Sequence, residues 1–227
     1  MDSEPTWARS SGMRRSLIVL CLLWVAVPVW AAAPQWLERM APGVDSVAAD
    51  PVEYRKVVDK FAAGIVRPTI GDSATVYYGS PMQEGFTTEL PGQEDMQRAI
   101  MADDYETAYA LGMEILKLAP VNLTALYWTL FAATETNRPW EVRNYLRGCY
   151  NSISMVISLS GDGTSSESAL RVVWPGDMYT YTMIELGLDV GQGYLWDGRW
   201  TELEVSPAGP DARYGGESIF FEQWEGR

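Results

Sequence analysis

The chain has 227 residues, with 17 Lys plus Arg against 30 Asp plus Glu, two Cys and no His. Lacking histidine, it has no Ser-His-Asp or Cys-His nucleophile and no His-ligated zinc site. Its net charge of −13 repels nucleic acids and anionic lipid surfaces, both of which are bound through clustered Lys and Arg.

The surplus carboxylates are read as solubilising an exported protein, and no nucleic-acid partner is expected. With 47% hydrophobic and 12% aromatic residues, the chain has material for a substantial core and the length of a single domain.

Arg14 and Arg15 precede the apolar run from Leu17 to Trp30, and Ala31, Ala32 and Ala33 follow. These are the charged, apolar and small-residue regions of a secretory signal. Val29 and Ala31 suit the third and first positions before a cut, whereas a cut after Ala33 would leave Pro34 in a disfavoured place. Residues 1–31 are therefore read as a signal peptide, 32–47 as a linker and 48–224 as one α+β domain, helical over 48–159 and with its sheet over 160–224. The apolar run falls short of the roughly 20 residues that span a bilayer. No transmembrane helix is expected after cleavage, and the location read is periplasmic or secreted, with an uncleaved anchor as the alternative. The Arg-Arg-Ser-Leu-Ile order resembles a twin-arginine signal, but so hydrophobic a run favours the general secretory route. Leu20 before Cys21 is too large for lipid attachment. Cleavage leaves Cys149 as the one cysteine, placed on an apolar helix face as a buried structural thiol.

Asp50-Pro51 with Glu53 reads as a helix start, followed at helical spacing by Tyr54, Val57, Val58 and Phe61 and stopped at Gly64. Asp72 as a cap and Gly79 as a left-handed terminator bracket a short helix ending in Val76-Tyr77-Tyr78. Met96, Ala99 and Ile100 mark another. Asp103 with Glu106 is a capping-box-like start for a stripe of Ala108, Leu111, Gly112, Ile115 and Leu116 that Pro120 ends. Asn122 caps a helix with Leu123, Leu126, Tyr127, Leu130 and Phe131 inward, and Pro139 opens one with Val142, Tyr145, Leu146, Cys149, Ile153, Val156 and Ile157. The stretch from Asp104 through Asn122 reads like the second helix of a tetratricopeptide repeat and its exit turn. The pattern does not recur, so a partial helical hairpin is expected and an extended groove is not.

Residues 160–165 are a turn cluster, Leu170 to Trp174 a strand candidate and Asp177 to Leu186 a last short helix. Trp200 to Val205 and Ser218 to Trp224 have strand composition, with a long loop over 206–216 between them. The fold class is α+β: an N-terminal helical array followed by a small antiparallel β-sheet.

In this order, Val76-Tyr77-Tyr78-Gly79, Asp104-Tyr105-Glu106-Thr107-Ala108 with Leu116 and Pro120, Ser160-Gly161-Asp162-Gly163-Thr164-Ser165 and Ile219-Phe220-Phe221 resemble the bacterial domain-of-unknown-function family numbered 4919, over about residues 45 to 224. The resemblance implies an exported protein with Tyr-Tyr-Gly, Ser-Gly-Asp-Gly and a closing aromatic strand, and no established activity. Where it implies an Asp-Glu-Tyr run, this chain has Asp177-Met178-Tyr179, so a role for that glutamate does not carry over.

A P-loop, a dinucleotide-binding glycine turn, Cys-x-x-Cys pairs and a Ser-x-x-Lys nucleophile are absent from the sequence. No catalytic residue, metal ligand or cofactor is assigned. The candidate binding residues are Tyr77, Tyr78, Gly79, Ser160, Gly161, Asp162, Gly163, Asp177 and Tyr179. The glycine-flanked Asp162 could hold an anion through amides or calcium through oxygens. The favoured reading makes it a helix terminator, with Gly161 at positive φ and Asp162 bonded to its own backbone. For Tyr77 and Tyr78 the favoured reading is aromatic packing with one hydroxyl bonded. Tyr194, Trp196, Trp200, Tyr214 and Trp224 beside Asp197, Glu202 and Asp211 are read first as core beneath the sheet and second as a sugar-stacking face. The function expected is a non-catalytic envelope module holding a protein, peptide or glycan. The rival is a carboxylate-dependent periplasmic hydrolase using Asp162, Asp177 and Tyr179.

Overall fold

A computed structural model describes residues 34–62 and 68–226. The signal peptide, its cleavage site, Cys21 and the Gly64 helix stop lie outside the described residues. The expected linker folds instead, into α1 (Gln35–Met40) and α2 (Val44–Ala49). Neither helix has a side-chain cap at its start, and six-residue helices are marginal alone. Docking holds them: Leu37 and Val44 are buried, and the Trp36 ring stands edge-on to Tyr78 at 4.8 Å and to Trp224 at 5.7 Å.

Helix α3 (Pro51–Ala62) starts as its sequence predicts, with Asp50 Oδ1 accepting from Val52 N at 2.9 Å and Glu53 N at 3.2 Å. Helix α4 (Ile70–Gly79) is capped by Thr69 and not by Asp72. Thr69 Oγ1 accepts from Asp72 N at 3.0 Å while Asp72 Oδ2 accepts from Thr69 N at 3.1 Å, so the aspartate is the reciprocal third residue of a capping box. Gly79 is right-handed, at φ −82 and ψ −14, and terminates nothing by left-handed geometry. It is small because a Cβ there would lie 3.0 Å from the Tyr54 ring and 3.1 Å from Ala48 Cβ.

The helical array consists of α5 (Gln93–Met101), α6 (Tyr105–Leu118), α7 (Leu123–Glu135) and α8 (Trp140–Ser158), each packed on the next. The cap of α6 falls one residue later than expected: Asp104 Oδ1 accepts from Thr107 N at 3.1 Å, and Asp103 turns the chain at φ 57. Asn122 Oδ1 caps α7 from Ala125 N at 2.7 Å. Helix α7 carries no charge before Glu135, which suits a helix flanked by α6, α8 and the α9 segment described next. Cys149 is buried on α8, and burial pushes its thiol up to about 11.

Gly112 lets α6 and α7 approach. A Cβ there would lie far inside contact distance of Thr129 Oγ1 and 3.0 Å from Thr129 Cβ, and Thr129 is fully buried. Gly112→Ala should therefore destabilise by about 1–3 kcal/mol, even though alanine is the better helix former by about 1 kcal/mol. Urea unfolding of the double variant with Thr129→Ala should recover at least half the loss, whereas Thr129→Val, which keeps the branch, should recover none.

Beyond α8 come β1 (Leu170–Val172), α9 (Pro175–Thr180), a π-helical turn (Tyr181–Glu185), β2 (Leu188–Trp196), β3 (Trp200–Pro207) and β4 (Ser218–Gln223). The sheet order is β1-β4-β3-β2. Strands β3 and β4 pair antiparallel as expected, the unanticipated β2 adds antiparallel to β3, and β1 joins β4 in parallel, with Leu170 opposite Phe221, so the sheet is mixed. The chain leaves β1 through α9 and the β2–β3 hairpin and returns in the same direction, an excursion that composition does not reveal. Val172, Leu203, Ile219 and Phe221 fill the inner face. Among the described residues, no helix is long and apolar enough to cross a membrane.

Candidate functional site: a sealed acid and an exposed hairpin

Tyr77 and Asp177 lie 100 positions apart in the chain and meet in the core. Tyr77 Oη donates to Asp177 Oδ2 at 2.8 Å and accepts from Val173 N at 3.1 Å. Asp177 Oδ1 accepts from Thr124 N and Thr124 Oγ1, both at 3.0 Å, and the Thr124 hydroxyl also pairs with Thr180 Oγ1 at 2.9 Å. Asp177 thus acts as a second acceptor at the start of α7, beside the Asn122 cap, where a carboxylate is favoured by unpaired amides and the helix dipole. Tyr77 and Asp177 are both fully buried. Burial pushes the Asp177 carboxyl up to about 6, against the opposing pull of Thr124, Tyr77 and Leu123. Burial also holds the Tyr77 phenol well above its ordinary range. The arrangement ties α4, α7, α9 and the residue that follows β1 together and offers no group to solvent.

Tyr78 faces a neighbouring junction. Its hydroxyl donates to Arg171 O at 3.1 Å, and burial raises its phenol. Ser160 Oγ donates to Ile157 O at 2.7 Å and accepts from Arg171 N at 2.8 Å. The Arg171 guanidinium lies 4.7 Å from the centre of the Trp36 ring and 3.0 Å from Glu222 Oε2. Arg199 reaches Glu222 Oε1 at 2.7 Å from the other side and stacks on Trp200 at 4.9 Å. Glu222 is consequently almost buried, between two arginines that each rest on an indole.

The structure places Asp162 and Tyr179 apart from this interior, whereas Gly79 and Gly163 are buried. Asp162 sits on an exposed turn, where its Oδ1 accepts from Thr164 N at 2.9 Å, Thr164 Oγ1 at 2.7 Å and Ser168 Oγ at 2.6 Å. Those donors, Ser168 foremost, hold its carboxyl down to about 2. The left-handed residue is Gly163, at φ 72, and not Gly161. Gly161 is required for another reason: a Cβ would collide with the backbone carbonyls of Ser168 and Ala169. Tyr179, two residues after Asp177 and hence on another side of the helical turn, is 42% exposed. Among the described residues, no three acidic or thiol groups gather to hold a metal ion.

The expected aromatic tail divides in two. Trp224 is core, its indole N–H donating to Tyr78 O at 2.8 Å. Tyr194 and Trp196 are exposed on β2, donating to Glu204 Oε1 and Glu202 Oε2, each at 2.9 Å. Leu195 between them is 69% exposed. Strand β2 has no counterpart among the strands expected from sequence, because Gly191, Gln192 and Gly193 break the alternation across a bulge between Val190 and Gly193. The run Tyr194-Leu195-Trp196 before Asp197-Gly198 was the available signal, since Asp-Gly marks a hairpin.

A helical array leading into a four-stranded mixed sheet defines an α+β protein. The family model described as Domain of unknown function (DUF4919) matches residues 49–222, and the chain belongs to that family. No curated protein and no solved structure matches it.

Proposed function

We propose that this protein is an exported, non-catalytic interaction module of the bacterial cell envelope, periplasmic or secreted, that holds a protein, peptide or glycan partner. The observation that carries the reading is the contrast between Asp177, which is sealed in the core, and Tyr194, Leu195 and Trp196, which are exposed together on one strand. Apolar and aromatic side chains left in water over consecutive residues cost solubility and mark a contact surface. The signal-like residues 1–31 support export. The hydrolase alternative needs Asp162, Asp177 and Tyr179 to share an accessible point, and the interior place of Asp177 weighs against it.

The test is a panel of glycan, ester and phosphate substrates offered to the processed protein alongside Asp162→Ala and Tyr179→Phe, together with partner binding by Trp196→Ala. The expected result is no turnover that either substitution removes, and binding lost in Trp196→Ala at unchanged melting temperature. Turnover abolished by Asp162→Ala or Tyr179→Phe in a folded protein would establish the hydrolase instead.

A further inference from the structure

We propose that the free edge of β2 accepts an extended partner segment in which basic and apolar residues alternate, adding it as a fifth strand; this rests on the interaction-module reading above. Among the described residues strand β2 ends the sheet order, so one side of its backbone has no strand partner there, and every residue from Gly191 to Trp196 is exposed. Edge strands of this kind are usually blunted by Lys, Pro or shortness. This one has nine residues and neither Lys nor Pro. Its blunting features, Asp189 and the bulge between Val190 and Gly193, confine regular pairing to residues 193–196. The other edge, β1, has only three residues and contacts α8 and α9.

The two faces beside this edge differ in chemistry. On the outer face, Tyr194 and Trp196 stand opposite Glu202 and Trp200, with both indole and phenol anchored on carboxylates. Asp189 lies further along, opposite Ser206. Strands β2 and β3 carry Asp189, Glu202 and Glu204 and no Lys or Arg, and Arg199 at the turn is held by Glu222. Rings backed by unneutralised carboxylates suit Arg or Lys through cation–π and charge attraction. On the inner face, Leu195 is joined by Tyr179, whose hydroxyl would lie 3.9 Å from a Cβ at Gly193, and Met183 follows Tyr179 by one turn. Tyr179 and Met183 are 42% and 44% exposed, and this side suits Val, Ile or Leu. Successive residues of an added strand point to opposite faces, hence the alternation. A second copy of the chain would set these acids against their own like, so charge complementarity selects a basic partner.

The experiment titrates the full chain with acetyl-Arg-Val-Arg-Val-Arg-amide at low salt, followed by tryptophan fluorescence and calorimetry. The charge-inverted peptide with Glu for Arg and a panel of labelled oligosaccharides are run beside it. The basic peptide should bind at least tenfold more tightly than the acidic one, and weaken about tenfold with Glu202→Gln plus Glu204→Gln or with Leu195→Lys, both at unchanged melting temperature. Peptide binding that ignores charge sign, or that Leu195→Lys leaves intact, would overturn the edge assignment. Oligosaccharide binding without peptide binding would overturn it while leaving an interaction module standing, and binding of neither would remove both.

Discussion

Asp177→Ala should cost about 4 kcal/mol of stability, because it strands Thr124 N and Tyr77 Oη without their acceptor in a fully buried place and leaves a void. For a chain of this size that corresponds to a fall in Tm of roughly 8–16 °C. The pH dependence gives the same residue a distinctive signature. Its carboxyl titrates at about 6 in the folded protein and at about 4 in the unfolded chain. The native state therefore binds more protons between these values, and stability falls as pH rises through that window. The contribution is fully present below about pH 4 and lost above about pH 6, a difference of about 3 kcal/mol. Asp177→Asn cannot titrate, so its stability relative to wild type should improve by that amount between pH 4 and pH 7. Urea unfolding of both proteins at the two pH values measures it, and parallel pH dependences would refute the assignment.

Gly161→Ala should be nearly as damaging, at about 3 kcal/mol or more. The added Cβ meets backbone and not a flexible side chain: the carbonyls of Ser168 and Ala169, with Ala169 C at 2.8 Å. Relieving the collision opens the turn whose amides at Asp162 and Gly163 donate to Ser168 O at 3.0 and 2.9 Å. That turn also accepts Phe220 N on Gly163 O at 2.9 Å, so β4 is disturbed as well. Gly215→Ala is the control, since a Cβ there meets nothing within 4 Å, and its thermal melt should match wild type.

Of the residues singled out by sequence, Tyr77, Tyr78, Ser160 and Asp177 tie elements of the fold together, whereas Asp162 and Tyr179 lie exposed. Local signals were legible wherever a cap or stripe lies within one turn: Asp50, Asn122 and the Leu146-Cys149-Ile153 face behave as read. Shifts of one to three residues, from Asp103 to Asp104, from Gly161 to Gly163 and from Asp72 to Thr69, occur where nearby residues can serve the same cap or turn and only the backbone path chooses between them. What sequence could not reveal is non-local. The Tyr77–Asp177 contact, the parallel β1–β4 pair and the docking of α1 through Trp36 depend on segments far apart in the chain. Strand β2 was hidden because its glycines serve a bulge, and hydrophobic alternation is the signal a bulge interrupts.

The buried Asp177 holds the fold, and the exposed β2 strand is the surface proposed to meet a partner. Amide hydrogen exchange of the full chain, alone and with the basic-apolar peptide, tests this division most directly. Thr124 and Val173, whose amides donate to Asp177 and Tyr77, should exchange only through global unfolding in both conditions, while the alternate amides of 193–196 that point away from β3 exchange readily alone and slow on binding. Rapid exchange at Thr124 and Val173 that a ligand slows would show the acid to be an open site and contradict the account.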